Sequence, residues 1–423
     1  MLYDIGFLIF SVFYLPTLIF KGKLHKDFGE RFGAYSDEKL SALKAGRDII
    51  WIQAVSVGEV ALCKSLIPAL RETFPASTIV FSTITRTGNE LARKLFSKEA
   101  VIIYFPLDLS FIVKKAAGII RPSLYVMIET EIWPNFLEEM CKGKVPSILI
   151  NGRISDRSYG KYMIARRFLK KTLENIGCFC MQSELDAERI ISLGATSDRV
   201  LVTGNMKLDV EIRSDVRAME TLKEAISLKA DEELFVAGST HPGEEEIIIE
   251  SFKELQKDFP KLKLLIAPRH IERASEVEAV VKKKGFRPIK PPDFSLHPAP
   301  HNLHPIFILD KIGYLDSAYS FASLVFIGGS LVKHGGQNPI EPAMHEKSVI
   351  FGPYMFNFKE VTKLLVDSGG AIQVFGKEDL VRRAKELLQD KDMRLRTGRL
   401  AKTAVISGRG ATEKNIEIIK KYA

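Results

Sequence analysis

From residue 49 onward, short apolar runs alternate with stretches of helical spacing. Residues 49–55, 78–83, 101–105, 124–128, 147–151, 178–181 and 200–203 read as buried strands. Between them, residues 58–73 and 89–96 carry apolar side chains at three- and four-residue steps, as helices with one buried face do. Strands that are apolar throughout must be covered on both faces, so the alternation predicts a parallel, doubly wound α/β sheet. The cycle restarts after Gly204, with strands at 234–237, 262–267, 306–309, 324–327, 349–351 and 371–374. Residues 205–230 are charged and carry no strand, which marks a hinge, and residues 376–423 read as helical and basic. The expected organisation is an N-terminal segment 1–22, a first domain 23–205, a hinge 206–230 and a second domain 231–400. A last helix, 401–423, is expected to pack back on the first domain. Two such Rossmann-like domains facing each other would line a central cleft with the carboxyl ends of both sets of strands, where open α/β sheets bind ligands.

Residues 5–20, IGFLIFSVFYLPTLIF, form an uncharged apolar run followed by Lys21, Lys23, His25, Lys26 and Arg31. The run is shorter than the ~20 residues that span a bilayer and contains Pro16. Asp4 stands where a signal peptide would be basic, so the expectation is a membrane anchor with the bulk of the protein on the cytoplasmic side. Lys and Arg number 61 against 52 Asp and Glu, a net +9, which suits an acidic substrate or an anionic membrane surface. Basic residues are not interleaved with aromatics, so nucleic acid is not expected. Cys63, Cys141, Cys178 and Cys180 include no CxxC pair, and Cys178 and Cys180 alternate within a buried strand as core thiols.

The glycine-rich stretch 326–353, FIGGSLVKHGGQNPIEPAMHEKSVIFGP, carries the strongest chemical signal. Asn338 suits a helix cap, Pro339 the first helical position, and Glu341 the third, a capping-box pattern. Gly328, Gly329, Gly335 and Gly336 allow close approach of backbone to a ligand, and a helix start there would seat a phosphate. Residues 238–244, GSTHPGE, repeat the device with Thr240 or His241 at the cap. Pro268-Arg269-His270 ends another strand, and Arg269 can bond a phosphate bidentately. Residues 310–315, DKIGYL, open a further helix. In the first domain Glu59 opens the helix after the first strand, as either a general base or a helix-dipole carboxylate. Glu129 and Glu131 follow a strand, and in extended chain they share one side. Lys207 follows the last strand of that domain and is placed to meet an anion.

Other templates fail. No G-x-G-x-x-G follows the first strand and no P-loop exists. AVSVG approximates a nucleophile elbow around Ser56, but Ala54 replaces its first glycine. Asp390 and Asp392 sit in charged helical surroundings and read as solvated. The proline-rich stretch 285–305, with His297, His301 and His304, reads as an exposed loop and not as a metal site.

WIQAVSVGE, ETEIWPN, NGRISDRSY, GNMK, GSTHPGEE, APRH and GGSLVKHGGQNPIEP, in this order, resemble the 3-deoxy-D-manno-octulosonic acid (Kdo) transferases of lipopolysaccharide synthesis. The resemblance implies a two-domain GT-B glycosyltransferase that moves Kdo from CMP-Kdo to a lipid A precursor at the cytoplasmic face of the inner membrane, without a metal or cofactor. It implies Glu59 as general base and Glu129 and Lys207 as stabilisers of the transition state. It assigns CMP contacts to Pro268, Arg269, Ile312, Gly313, Tyr314, Asn338, Pro339, Ile340 and Glu341. Tyr314 stands where the family often has Glu, and Gln337 where it often has His. The readings to be weighed against it are a GT-B enzyme using a UDP-sugar, transferase or epimerase, and a non-catalytic membrane-bound scaffold.

Overall fold

The computed structural model describes residues 3–8, 27–209, 215–290 and 305–423. Two compact units emerge: Met1–Val210 together with Gly408–Ala423, and Glu211–Ser407. Each is built on one seven-stranded sheet whose strand pairs are all parallel.

The first sheet comprises β1 (Ile50–Gln53), β2 (Ile79–Thr83), β3 (Ala100–Tyr104), β4 (Leu124–Ile128), β5 (Ser147–Gly152), β6 (Cys178–Met181) and β7 (Val200–Val202). Their order is β3-β2-β1-β4-β5-β6-β7. Alternation along the strands divides the core. Ile50, Ile52, Val126 and Ile128 face one layer of helices, and Trp51, Tyr125 and Met127 the other. Trp51 is fully buried, edge-on to Phe136 at 4.8 Å, and its indole N–H donates to Ser82 Oγ at 2.8 Å.

The C-terminal helix Ala411–Lys420 belongs to this unit and packs on the helix Val57–Thr73. Ala411, Ile416 and Ile419 enter the same apolar cluster as Val60, Cys63 and Leu66. Asp209 holds the helix start by accepting from the Gly410 and Thr412 amides. The expected single helix over 401–423 is two helices, Lys391–Ser407 and Ala411–Lys420, separated where Gly410 takes φ +100°.

At the N-terminus a helical turn over 3–8 lies against the first unit. Asp4 accepts from Ser110 N–H and Oγ at 3.0 Å each and from Asn135 Nδ2 at 2.7 Å. It therefore supplies the side-chain cap that the helix Ser110–Ile120 otherwise lacks. Among the described residues no helix is long and apolar enough to cross a membrane. Most of the apolar run at 5–20, on which the expected anchor rests, lies outside them.

The second sheet comprises β8 (Glu233–Thr240), β9 (Leu262–Pro268), β10 (Arg287–Ile289), β11 (Pro305–Ile308), β12 (Leu324–Ile327), β13 (Val349–Phe351) and β14 (Ala371–Gln373). Their order is β10-β11-β9-β8-β12-β13-β14. β10 falls in the stretch read as loop. It is a three-residue edge strand paired only with β11, a position where Pro288 removes no needed donor. His297, His301 and His304 lie outside the described residues. The charged stretch read as hinge contains a helix, Val216–Ile226, which belongs to the second unit.

Candidate active site

Each sheet reverses its winding direction once. In the first, the chain runs outward through β2 and β3 and returns to place β4 beside β1. In the second it returns to place β12 beside β8. Ligands of such sheets bind at the strand ends flanking this reversal. Glu59 follows β1 and Glu129 follows β4, so two of the sequence-predicted residues flank the first reversal.

Ser56 is the N-cap of the helix Val57–Thr73, which accounts for it structurally. Glu59 folds back on that cap: Oε2 accepts from the Val55 amide at 2.6 Å and Oε1 from Ser56 Oγ at 2.8 Å. The capping carboxylate and the candidate base are thus the same group. Its two bonds fix it in place, and each oxygen keeps a second lone pair. Burial pushes its pKa up from 4.5 to about 7, the Val55 and Ser56 bonds oppose this, and the nearby Glu129 charge adds to it. A base titrating near neutrality is matched to taking a proton from a hydroxyl.

Glu129 does not continue the extended strand. It takes φ +58°, a left-handed conformation rare for a non-glycine residue. The chain turns at this point, so Glu129 and Glu131 are not the strand neighbours the spacing implied. Glu131 accepts from Trp133 Nε1 at 3.1 Å. Burial, then the Glu59 charge, raise its pKa to about 8. Three carboxyl groups therefore share the region beyond β1 and β4, where burial and neighbouring charge make Glu59 and Glu131 hold a proton more tightly than free carboxyls do.

Lys207 sits in a 3-10 turn, Met206–Asp209, after the edge strand β7. Three strand positions separate β7 from β4. Asn151, at the end of β5, accepts from the Met206 amide at 2.9 Å and draws this turn back across β6 toward β4. Asn151 itself takes φ +52° to do so. This brace had no signal in the sequence beyond an asparagine at a strand end.

In the second unit the predicted nucleotide contacts all sit at or past the carboxyl ends of strands. Pro268 is buried at the end of β9 and Arg269 beyond it is exposed. After β11, Ile312 is exposed, Gly313 takes φ +94° and Tyr314 caps the helix Leu315–Ser320. His345 Nε2 pairs with Asp316 Oδ1 at 2.8 Å and ties this helix to the one that follows Asn338. That helix, Ile340–Met344, starts one residue later than the sequence implied, with Pro339 at its cap. Asn338 Oδ1 still accepts from the Ile340 amide at 3.0 Å. Its Nδ2 donates to Glu341 Oε1 at 3.1 Å, so the reciprocal bond runs between side chains.

The GSTHPGE loop also differs from its reading. Gly243, at φ +92°, is the cap of the helix Glu244–Leu255, not Thr240 or His241. Glu244, fully buried, accepts from the amides of His241, Gly329, Ser330 and Leu331 at 2.6–2.9 Å. The glycine loop's first amides are thus occupied by a protein carboxylate, which leaves Arg269 and the 338–341 turn as the sequence-predicted anion contacts. Gly328 lies so close to β8 that a Cβ would come within 2.3 Å of the Ser239 carbonyl oxygen. No group of three or more His, Cys, Asp or Glu among the described residues is arranged to hold a metal ion.

Two parallel seven-stranded sheets of this kind are the paired Rossmann-like domains of the GT-B fold. A glycosyltransferase from Rickettsia africae superposes with a TM-score of 0.62 over 89% of this chain and 98% of its own, at 11% identity. The family model for 3-deoxy-D-manno-octulosonic-acid transferase (kdotransferase) matches residues 26–210. The 3-deoxy-D-manno-octulosonic acid transferase of Haemophilus influenzae is 33% identical over 93% of this chain and 90% of its own length. That of Chlamydophila psittaci is 34% identical over 87% and 84%. The chain belongs to the 3-deoxy-D-manno-octulosonic acid transferase family.

Proposed function

We propose that the protein transfers Kdo from CMP-Kdo to a hydroxyl of a lipid A precursor, with inversion at the anomeric carbon. The observation that carries the reading is Glu59: a fixed carboxylate at the winding reversal of a Kdo transferase sheet, held near pKa 7 by burial. The first unit supplies the acceptor side and the second binds CMP-Kdo. Glu59 takes the proton of the acceptor hydroxyl as its oxygen attacks the anomeric carbon. The bond to the phosphate oxygen breaks, and its electron pair leaves with CMP. Glu129 and Lys207 stabilise the charge that develops in the transition state, and Arg269 binds the phosphate of the nucleotide. Pro268, the 312–314 turn and residues 338–341 hold the nucleotide. A single phosphate needs less charge neutralisation than a diphosphate, and these cations with the 338–341 turn suffice without a metal.

The acceptor is a lipid, and the first unit has a surface suited to a bilayer. Phe111, Ile164 and Phe168 are 64%, 91% and 50% exposed, and Ile5 and Leu8 are exposed as well. Tyr3 stacks on Phe168 at 6.0 Å, which joins the N-terminal turn to this patch. Arg166, Arg167, Lys170 and Lys171 on the helix Arg166–Leu173 add positive charge. Together they support attachment at the cytoplasmic face of the inner membrane.

The test is incubation of purified protein with CMP-Kdo and a tetraacylated lipid A precursor, followed by mass spectrometry. Addition of the sugar acid is expected. Turnover of a UDP-sugar with no product from CMP-Kdo refutes the reading.

A further inference from the structure

Three histidines meet at the winding reversal of the second sheet, each from a different strand end. His241 follows β8, His270 follows β9 and His334 lies in the loop after β12. The His241 ring is buried, stacked on His334 at 4.2 Å and 16°, and edge-on to His270 at 6.2 Å and 90°. His270 and His334 are exposed. Gln337 Nε2 lies 3.1 Å from His241 Nε2. An amide N–H there can only donate, so His241 presents that nitrogen as an acceptor and carries its own proton on Nδ1. Gly329 makes this packing possible: at φ +68°, a Cβ in its place would come within 3.1 Å of His241 Cδ2.

The charges facing His241 come from every neighbouring loop. Arg269 and Arg273 are positive, His334 and His270 are titratable, and Glu244 binds the His241 amide. Glu245 is paired with Arg273. Burial first, then these cationic neighbours, push the His241 pKa down to about 4. The imidazole is therefore a neutral platform with protonatable rings and an arginine around it. Stacked, near-parallel rings do not aim their nitrogens at a common point, so this is not the geometry of a metal site. An anion with two separated oxygens meets donors from different sides more readily.

Such an anion exists in the proposed donor. Kdo is an acid, and its carboxylate lies on the anomeric carbon, next to the phosphate. The segments assigned to CMP, namely 268–269, 312–314 and 338–341, do not include the three histidines, which adjoin them. Glu244 already fills the amides of residues 329–331, so a second anion here must be met by side chains.

We propose that His270 and His334, set around His241 and aided by Arg269, bind the carboxylate of the transferred sugar acid. The inference rests on CMP-Kdo being the donor. Gln337 and His241 position the two outer rings and do not touch the ligand.

The experiment separates sugar-acid recognition from nucleotide recognition. KM for CMP-Kdo and the inhibition constant of CMP are measured for wild type, His270→Ala, His334→Ala, the double variant and His334→Lys. Both outer histidines are exposed, so the variants should fold, and a thermal melt verifies it. The expected result is a roughly tenfold or greater rise in donor KM for the double variant, with CMP inhibition within twofold of wild type. His334→Lys, which supplies an N–H donor and a positive charge at that place, should recover much of the loss seen in His334→Ala. If CMP inhibition weakens in parallel with donor KM, the cluster serves the phosphate and the assignment falls. It falls equally if donor KM does not move. Absence of CMP-Kdo turnover by the wild type would instead refute the donor itself.

Discussion

The sharpest test is Glu59→Gln. The substitution keeps the volume of the side chain and one acceptor oxygen, which can stay on the Val55 amide 2.6 Å away. The new amide N–H₂ then faces Ser56 Oγ, which can accept. The capping function survives and proton acceptance is lost. Removing a general base costs about 10²–10⁴ in rate, or about 3–5 kcal/mol of barrier. Initial rates of Kdo transfer are followed by mass spectrometry from pH 5.5 to 9. Wild-type kcat/KM should rise with pH and level off above about 7, where burial sets the Glu59 pKa. The variant should lose this limb as well as the rate. Stability gives an independent reading with a definite sign. Glu59 binds its proton more tightly folded than unfolded, with 4.5 rising to about 7. It therefore stabilises the fold fully below the unfolded value, and that stability is lost as pH rises through the folded one. The gap corresponds to roughly 3 kcal/mol. Glu59→Gln should flatten the decline in melting temperature between pH 4.5 and 7. Transfer within tenfold of wild type, with the pH limb intact, refutes Glu59 as the base. A flat rate profile combined with an unchanged melting profile refutes the burial argument.

Arg269→Ala should weaken CMP binding by about tenfold or more, since bonds to charged groups contribute ~1.5–3 kcal/mol. Calorimetric titration with CMP measures it, and unchanged affinity removes Arg269 from the nucleotide site. Glu244→Ala leaves four buried or half-buried amides without their acceptor. It should destabilise the second unit by roughly 3–5 kcal/mol, read as a melting temperature lower by several degrees, while Glu244→Gln costs less. Replacing Phe111, Ile164 and Phe168 together by Ser should reduce flotation with anionic phospholipid vesicles and leave CMP binding unchanged. Equal flotation would place membrane attachment elsewhere.

The strands with the most continuous apolar runs could be read from the chain to the residue. Leu124–Ile128, Cys178–Met181, Leu324–Ile327 and Val349–Phe351 begin and end where the pattern places them. Each is an interior strand paired on both sides, and burial on both faces leaves a clear chemical edge. β10 was hidden because an edge strand is only partly covered: its residues Arg287–Ile289 are half-buried and one is proline. At the site, a pattern of types predicted the loops but not what crosses between them. Glu244 reaches amides 85 to 87 residues away. Three acidic residues opening a helix after a glycine were the available hint. The influence of Glu59 on Glu131 depends on β4 lying beside β1, which is a fact of topology and not of local sequence. The stacking of His241 on His334 has the same origin.

The helix Ala411–Lys420 completes the core beneath Glu59, although almost two hundred residues of the other unit intervene. During translation the second unit, one continuous stretch, can mature while the first is still missing a wall. The usual front-to-back order of assembly on the ribosome is thereby inverted for the lobe that holds Glu59. Expressing residues 1–210 alone would yield a sheet with an open apolar face, and the missing helix, added as a separate peptide, is the natural reagent to close it.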